Sequence, residues 1–125
     1  MVTKKILIIE DSLPLLESLQ DLFTLQGCTT FSASNGATGI KLALTEHPDL
    51  ILLDLKLPDI DGYSALRQIR KDDWGKKTNV LILTASDLSG IIPEDLGLTE
   101  KNILSKSDYG LTEILIRVKE ALIDN

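Results

Sequence analysis

Leu50-Ile51-Leu52-Leu53-Asp54-Leu55-Lys56-Leu57-Pro58-Asp59-Ile60-Asp61-Gly62 opens with four apolar residues, closes them with a carboxylate, and runs on into a turn rich in Pro, Asp and Gly. An apolar run with no alternate polar positions fits a parallel strand covered on both faces. Parallel neighbours are joined by crossovers, so helices should flank the strand in the chain. Helical spacing is present on both sides, over 36–46 and 62–71. Further out, Lys5-Ile6-Leu7-Ile8-Ile9 followed by Glu10-Asp11 repeats the pattern of an apolar run closed by acid.

The whole chain alternates in this way. Strands are predicted near 5–10, 28–33, 50–54, 79–84 and 102–105, and helices near 13–26, 36–46, 62–71 and 109–123. The first helix starts behind Ser12 with Pro14 in its first turn, presents Leu15, Leu19, Leu22 and Phe23, and stops at Gly27. The last carries Leu111, Ile114, Leu115, Val118 and Leu122 on one stripe. A fifth helix, fourth in order, is expected to be short or irregular, because Gly90, Pro93 and Gly97 interrupt 87–99; it should begin near Pro93. Right-handed crossovers and short connections make a five-stranded, doubly wound parallel sheet the simplest arrangement. The α/β class follows, with residues 1–125 as a single domain.

Composition sets limits on function. The 125 residues are 43% hydrophobic and 26% charged, with a formal net charge of −6. That charge works against a nucleic-acid-binding face, which needs clustered Lys and Arg. The apolar runs are too short to span a bilayer, and no signal-peptide pattern opens the sequence, so a cytoplasmic protein is expected. The lone Cys28 can form no internal disulfide and reads as a small buried hydrophobe. His47, the only histidine, should be exposed, and Trp74 should be a partly exposed residue packed on a loop.

In a doubly wound sheet, ligands bind at the carboxyl ends of the strands. Glu10 and Asp11 close the first strand there and Asp54 the third, so three carboxylates converge. Held close, they repel unless a cation compensates them, and hard oxygen ligands suit Mg²⁺. The fourth strand ends in Thr84-Ala85 and the fifth in Ser105-Lys106, which brings a hydroxyl and an ammonium to the same edge.

Glu10-Asp11, Asp54 with Pro58 and Gly62 behind it, Thr84 and Lys106, in this order, resemble the receiver domains of two-component response regulators over essentially the whole chain. The resemblance implies a flavodoxin-like sheet of order 2-1-3-4-5. It implies that Asp54 takes a phosphoryl group from phosphohistidine on a histidine kinase or phosphotransfer protein. Mg²⁺ would be held by Asp11, Asp54 and the Lys56 backbone carbonyl, with Glu10 acting mainly through water. Lys106 would pair with a phosphoryl oxygen, and the Thr84 hydroxyl and Ala85 amide would take another. Such a module signals to a downstream effector by changing shape and is no turnover enzyme on a separate substrate.

Three other readings compete. An aspartyl-phosphate phosphatase would want a second Asp where Lys56 stands, and would need a cap domain. A flavin-binding domain would want a glycine-rich cradle where Glu10-Asp11-Ser12-Leu13-Pro14 is acidic. A degenerate receiver, serving only as a constitutive protein-interaction module, is the remaining alternative. The chain departs from the family at two places. Lys106 is followed by Ser107 where many members have Pro, and Ile103 stands where an aromatic usually swings on activation. The switch is therefore expected to run through Thr84 and the segment 86–93, with Ile91 and Ile92 offering an apolar contact, and less through Ile103.

Overall fold

Residues 3–85, 92–107 and 110–123 are described by the structure, a computed structural model. The strands β1 (Lys5–Ile9), β2 (Thr29–Ala33), β3 (Leu50–Asp54), β4 (Asn79–Thr84) and β5 (Ile103–Ser105) form one parallel sheet in the order β2-β1-β3-β4-β5. Buried on both faces, β1, β3 and β4 are the continuous apolar runs of the sequence. Inner strands carry polar residues only at their ends, whereas the edge strand β2 mixes them along its length, because it has a less covered side.

Side chains alternate along every strand, and the core divides accordingly. Ile6, Ile8, Leu50, Leu52, Leu81, Leu83 and Leu104 pack on one face against α1 (Leu13–Leu25) and α4 (Leu111–Ile123). Leu7, Ile9, Ile51, Leu53, Val80 and Ile82 pack on the other against α2 (Gly36–Glu46) and α3 (Gly62–Arg70). The expected stripes supply most of the facing side chains: Leu19 and Phe23 are buried in α1 and Ile114 and Val118 in α4, with Leu15, Leu115 and Leu122 packed partly buried beside them; Leu16, not expected, is buried in place of Leu22, and Leu111 is exposed.

Local signals set the helix ends. Asn35 caps α2 by accepting the Thr38 amide at 2.8 Å, and Asp61 caps α3 by accepting the Ser64 amide at 3.0 Å. Gly27, with φ +85°, takes the left-handed turn after α1 that favours glycine.

Four α-helices are present among the described residues, one fewer than the five predicted. Where the fourth was expected, a single 3₁₀ turn, Glu94–Leu96, follows Pro93, and a second, Glu100–Asn102, leads into β5. Pro93 is extended and Gly97 left-handed, so backbone punctuation limits the first turn at both ends. Residues 86–91, including Ile91 and most of the expected switch segment, lie outside the described residues, as do 108 and 109 at the expected start of the last helix. A second correction concerns Cys28, which is half-buried at the margin of the α1 side of the core, because it precedes the edge strand β2. His47 is exposed, and its ring stacks on that of half-buried Trp74 with centroids 4.6 Å apart. No helix among the described residues is long and apolar enough to cross a membrane.

Candidate functional site

The register of the sheet assembles the site stepwise. Ile9 is level with Leu53, which sets Glu10 beside Asp54; Asp54 is level with Leu83, and Thr84 with Ser105, which sets Lys106 one position beyond. By alternation Glu10, Asp54 and Lys106 fall on the face of the sheet that carries Ile8, Leu52 and Leu104. Thr84 has the opposite parity. The ammonium of Lys106 can therefore reach both buried carboxylates, standing 2.8 Å from Glu10 Oε1 and 3.2 Å from Asp54 Oδ2.

The carboxylates at the strand ends are covered. Glu10 is 1% exposed, Asp54 4% and Thr84 2%, whereas Asp11 and Ala85 are open to solvent. Asp54 Oδ1 accepts the Lys56 amide at 3.2 Å, and Glu10 Oε2 accepts the Ser12 amide at 2.9 Å. Glu10 Oε1 takes the Lys106 charge at close range but no hydrogen bond of good geometry. Burial pushes the Glu10 carboxyl up to about 7, against the opposing pull of Lys106 and the Ser12 amide; the neighbouring Asp54 adds to the rise. Burial pulls the Lys106 ammonium the other way, yet Glu10 and Asp54 outweigh it and hold its pKa above the ordinary lysine value.

One carboxylate oxygen from each of Glu10, Asp11 and Asp54 lies within 4.8 Å of the others. Oxygens on one Mg²⁺ stand no further apart than about 4.2 Å, twice the usual Mg–O distance, so the three carboxylates are spaced on the scale of a hard-cation site. Glu10 Oε1 is buried without a hydrogen bond of good geometry, and burial raises the pKa of its carboxyl, an environment that a hard cation relieves. These residues fit Mg²⁺.

The candidate site residues Glu10, Asp11, Asp54, Lys56, Thr84, Ala85 and Lys106 all stand at this edge of the sheet, at or just beyond the carboxyl ends of β1, β3, β4 and β5. Lys106 joins it through its backbone as well, its amide donating to the Thr84 carbonyl at 2.8 Å. The Lys106–Ser107 peptide is trans, and the Ser105 and Ser107 hydroxyls are 2.8 Å apart. Gly62 is held against the site from behind. A Cβ there would stand 2.5 Å from the Asp54 carbonyl oxygen and 2.8 Å from Leu55 Cα.

One residue near the site escaped the sequence reading. Asp59 reaches from the loop after β3 to the first turn of α2, accepting the Gly36 amide at 2.8 Å and the Ala37 amide at 2.9 Å. Those two bonds hold its carboxyl below the usual range. The only hint in the sequence is Asn35-Gly36 opening a helix, which says nothing of a partner 23 residues away.

Comparison with known proteins agrees with the geometry. The family model described as the response regulator receiver domain matches residues 6–118. Sporulation initiation phosphotransferase F of Bacillus subtilis is 33% identical over 122 residues, 98% of this chain and 96% of that protein. The probable transcriptional regulatory protein SilR of Salmonella typhimurium is 37% identical over 118 residues, 94% of this chain but only 50% of that protein. Among solved structures, the receiver domain of Francisella response regulator 1452 superposes with a TM-score of 0.83 at 28% identity, covering 98% of both chains. The receiver domain of sensor histidine kinase PA1611 from Pseudomonas aeruginosa, solved with a magnesium ion coordinated in its active site cleft, gives 0.78 at 26% identity, covering 97% of this chain and 98% of that one. The likeness runs from the first strand into the last helix, through each strand end that carries a polar group, and so this chain belongs to the response-regulator receiver domain family.

Proposed function

We propose that this chain is the phosphoacceptor of a two-component phosphorelay, taking a phosphoryl group onto Asp54 from phosphohistidine on a histidine kinase or phosphotransfer protein. The observation that carries the reading is a buried Asp54 carboxylate set between the Lys106 ammonium and the Glu10–Asp11 pair.

Asp11, Asp54 and the Lys56 backbone carbonyl would hold Mg²⁺, with Glu10 acting mainly through water. When bound, Mg²⁺ supplies positive charge that neutralises the phosphoryl oxygens and aligns them for in-line transfer. The Pseudomonas aeruginosa receiver structure, with a magnesium ion coordinated in its active site cleft, supports Mg²⁺ as the ion for this chain.

An Asp54 carboxylate oxygen attacks phosphorus; the new P–O bond forms as the donor's P–N bond breaks, and the electron pair leaves on the imidazole. Lys106, already paired with Asp54, moves onto a phosphoryl oxygen as charge accumulates there. The Thr84 hydroxyl and Ala85 amide take the remaining contact, and the small Ala85 side chain keeps the approach open. His47 is out of reach of Asp54 within one chain. It precedes β3 whereas Asp54 ends it, and a five-residue strand separates the two by about 16 Å.

The chain then acts on a downstream effector by a change of surface, not as a turnover enzyme, and a cytoplasmic setting fits that role. Incubation with acetyl phosphate and Mg²⁺, followed by intact-mass measurement, tests the reading. One phosphoryl adduct is expected on the parent, and none on Asp54→Asn or with the metal chelated. An unmodified parent would favour the alternative, a degenerate receiver that serves as a constitutive interaction module.

A further inference from the structure

The loop from Leu55 to Asp61 follows the phosphoacceptor and carries the Lys56 carbonyl. Its base is closed by the Gly62 amide donating to the Leu55 carbonyl at 2.8 Å and by a backbone bridge between Lys56 and Asp61. Its tip has a different anchor. Asp59 bonds the first two amides of α2, and Ile60 sits so close over Gly36 that a Cβ there would stand 2.1 Å from Ile60 Cγ2.

That helix is itself pressed onto β1. A Cβ at Gly39 would lie 2.5 Å from Ile9 Cδ1, and Ile9 immediately precedes Glu10. A closed circuit results, from the Glu10 end of β1 through α2 and Asp59 to the loop behind Asp54. A helix N-terminus needs acceptors for its free amides, but α2 already has one in its own sequence, Asn35, which takes the Thr38 amide. The second comes from another element, and it ties two segments that the local cap leaves independent.

We propose that Asp59 is a positioning residue: by bonding the Gly36 and Ala37 amides it fixes the loop 55–61, so that the Lys56 backbone is presented to the metal site beside Asp54. This rests on the function proposed above. Asp59 touches neither metal nor phosphoryl group; it acts through the loop, as outer-shell partners of metal ligands do.

The two caps of α2 supply the test. Mg²⁺ affinity by titration calorimetry, amide exchange of Lys56 and Gly62 in metal-free protein, and thermal melts are compared across the parent, Asp59→Ala, Asp59→Asn and Asn35→Ala. Asp59→Ala should weaken Mg²⁺ binding on the order of tenfold and speed exchange at Lys56 and Gly62. Asp59→Asn keeps one acceptor oxygen and should fall between it and the parent. Asn35→Ala should melt earlier than the parent yet bind Mg²⁺ as the parent does, since it cuts the helix cap and leaves the loop anchored. If Asp59→Ala matches the parent in affinity and exchange, or Asn35→Ala loses as much affinity as Asp59→Ala, Asp59 is a helix cap alone. A parent that neither binds Mg²⁺ nor accepts a phosphoryl group would instead overturn the proposed function, and this inference with it.

Discussion

Glu10 concentrates the conflict within the site. Its carboxyl is buried beside Asp54, and burial outweighs the Lys106 ammonium at 2.8 Å, so its pKa rises from 4.5 to about 7. A raised carboxyl pKa means that the folded state binds more protons than the unfolded one between those values. The metal-free protein should therefore lose stability as pH rises from about 4.5 to about 7, and Glu10 should account for much of the slope. Glu10→Gln, which has no charge to bury, should show a flatter profile over the same window and stand level with or above the parent near neutrality. Denaturant melts at several pH values, with metal chelated, check this. A parent whose stability rises through the window while Glu10→Gln stays below it throughout would mean that the Lys106 pair dominates. The same burial explains why an acidic pair at a strand end was readable as a metal site, but the strain it bears was not: residue type fixes charge, while desolvation depends on what the fold lays over it.

Among the elements, the connection between β4 and β5 is where this chain differs most from what its family resemblance implies. Ile103 packs as a half-buried aliphatic residue beside the α3 side of the core, with no ring to swing and no hydroxyl to exchange partners. The far end of the connection is tied down. Arg67 Nε donates to Asp95 Oδ2 at 2.8 Å, the Leu96 side chain is buried, and Arg70 Nε donates to the Leu96 carbonyl at 3.4 Å. A displacement begun at Thr84 and Ala85 on phosphorylation is therefore expected to be small at Asp95. With a beryllium fluoride phosphoryl mimic and Mg²⁺, backbone amide shifts should be larger at Thr84, Ala85 and Ile92 than at Ile103 and the first turn of α4. A response centred on Ile103 and 111–114, with Ile92 silent, would mean that aliphatic packing carries the relay the aromatic usually carries. That this segment would be irregular was legible from Gly90, Pro93 and Gly97. That its described part would hold only a 3₁₀ turn at 94–96, anchored by two arginines of α3, was not, because those bonds join residues 26 and 28 apart.

At the scale of the whole molecule, the parallel sheet and the convergence of Glu10, Asp54, Thr84 and Lys106 follow from features written locally: apolar runs in the central strands, polar residues at the strand ends, and helical stripes between; the strand order came with the family resemblance, and the structure has it. Strand limits differ from expectation by a residue at most, and in β1, β3 and β4 they follow the apolar runs that end at Ile9, Leu53 and Leu83. What local pattern could not reveal are contacts across the fold. The stack of His47 on Trp74, the reach of Asp59 to α2 and the choice of Glu10 as partner for Lys106 depend on which elements the topology makes neighbours. The account as a whole turns on Asp54 as the atom-level acceptor. Borohydride reduces an acyl phosphate and leaves homoserine at the modified aspartate, so peptide mapping of the reduced, phosphorylated protein reads the site directly. Homoserine at position 54, formed only when Mg²⁺ is present, is the result expected; homoserine at position 11 or at another aspartate, with position 54 intact, would contradict the account.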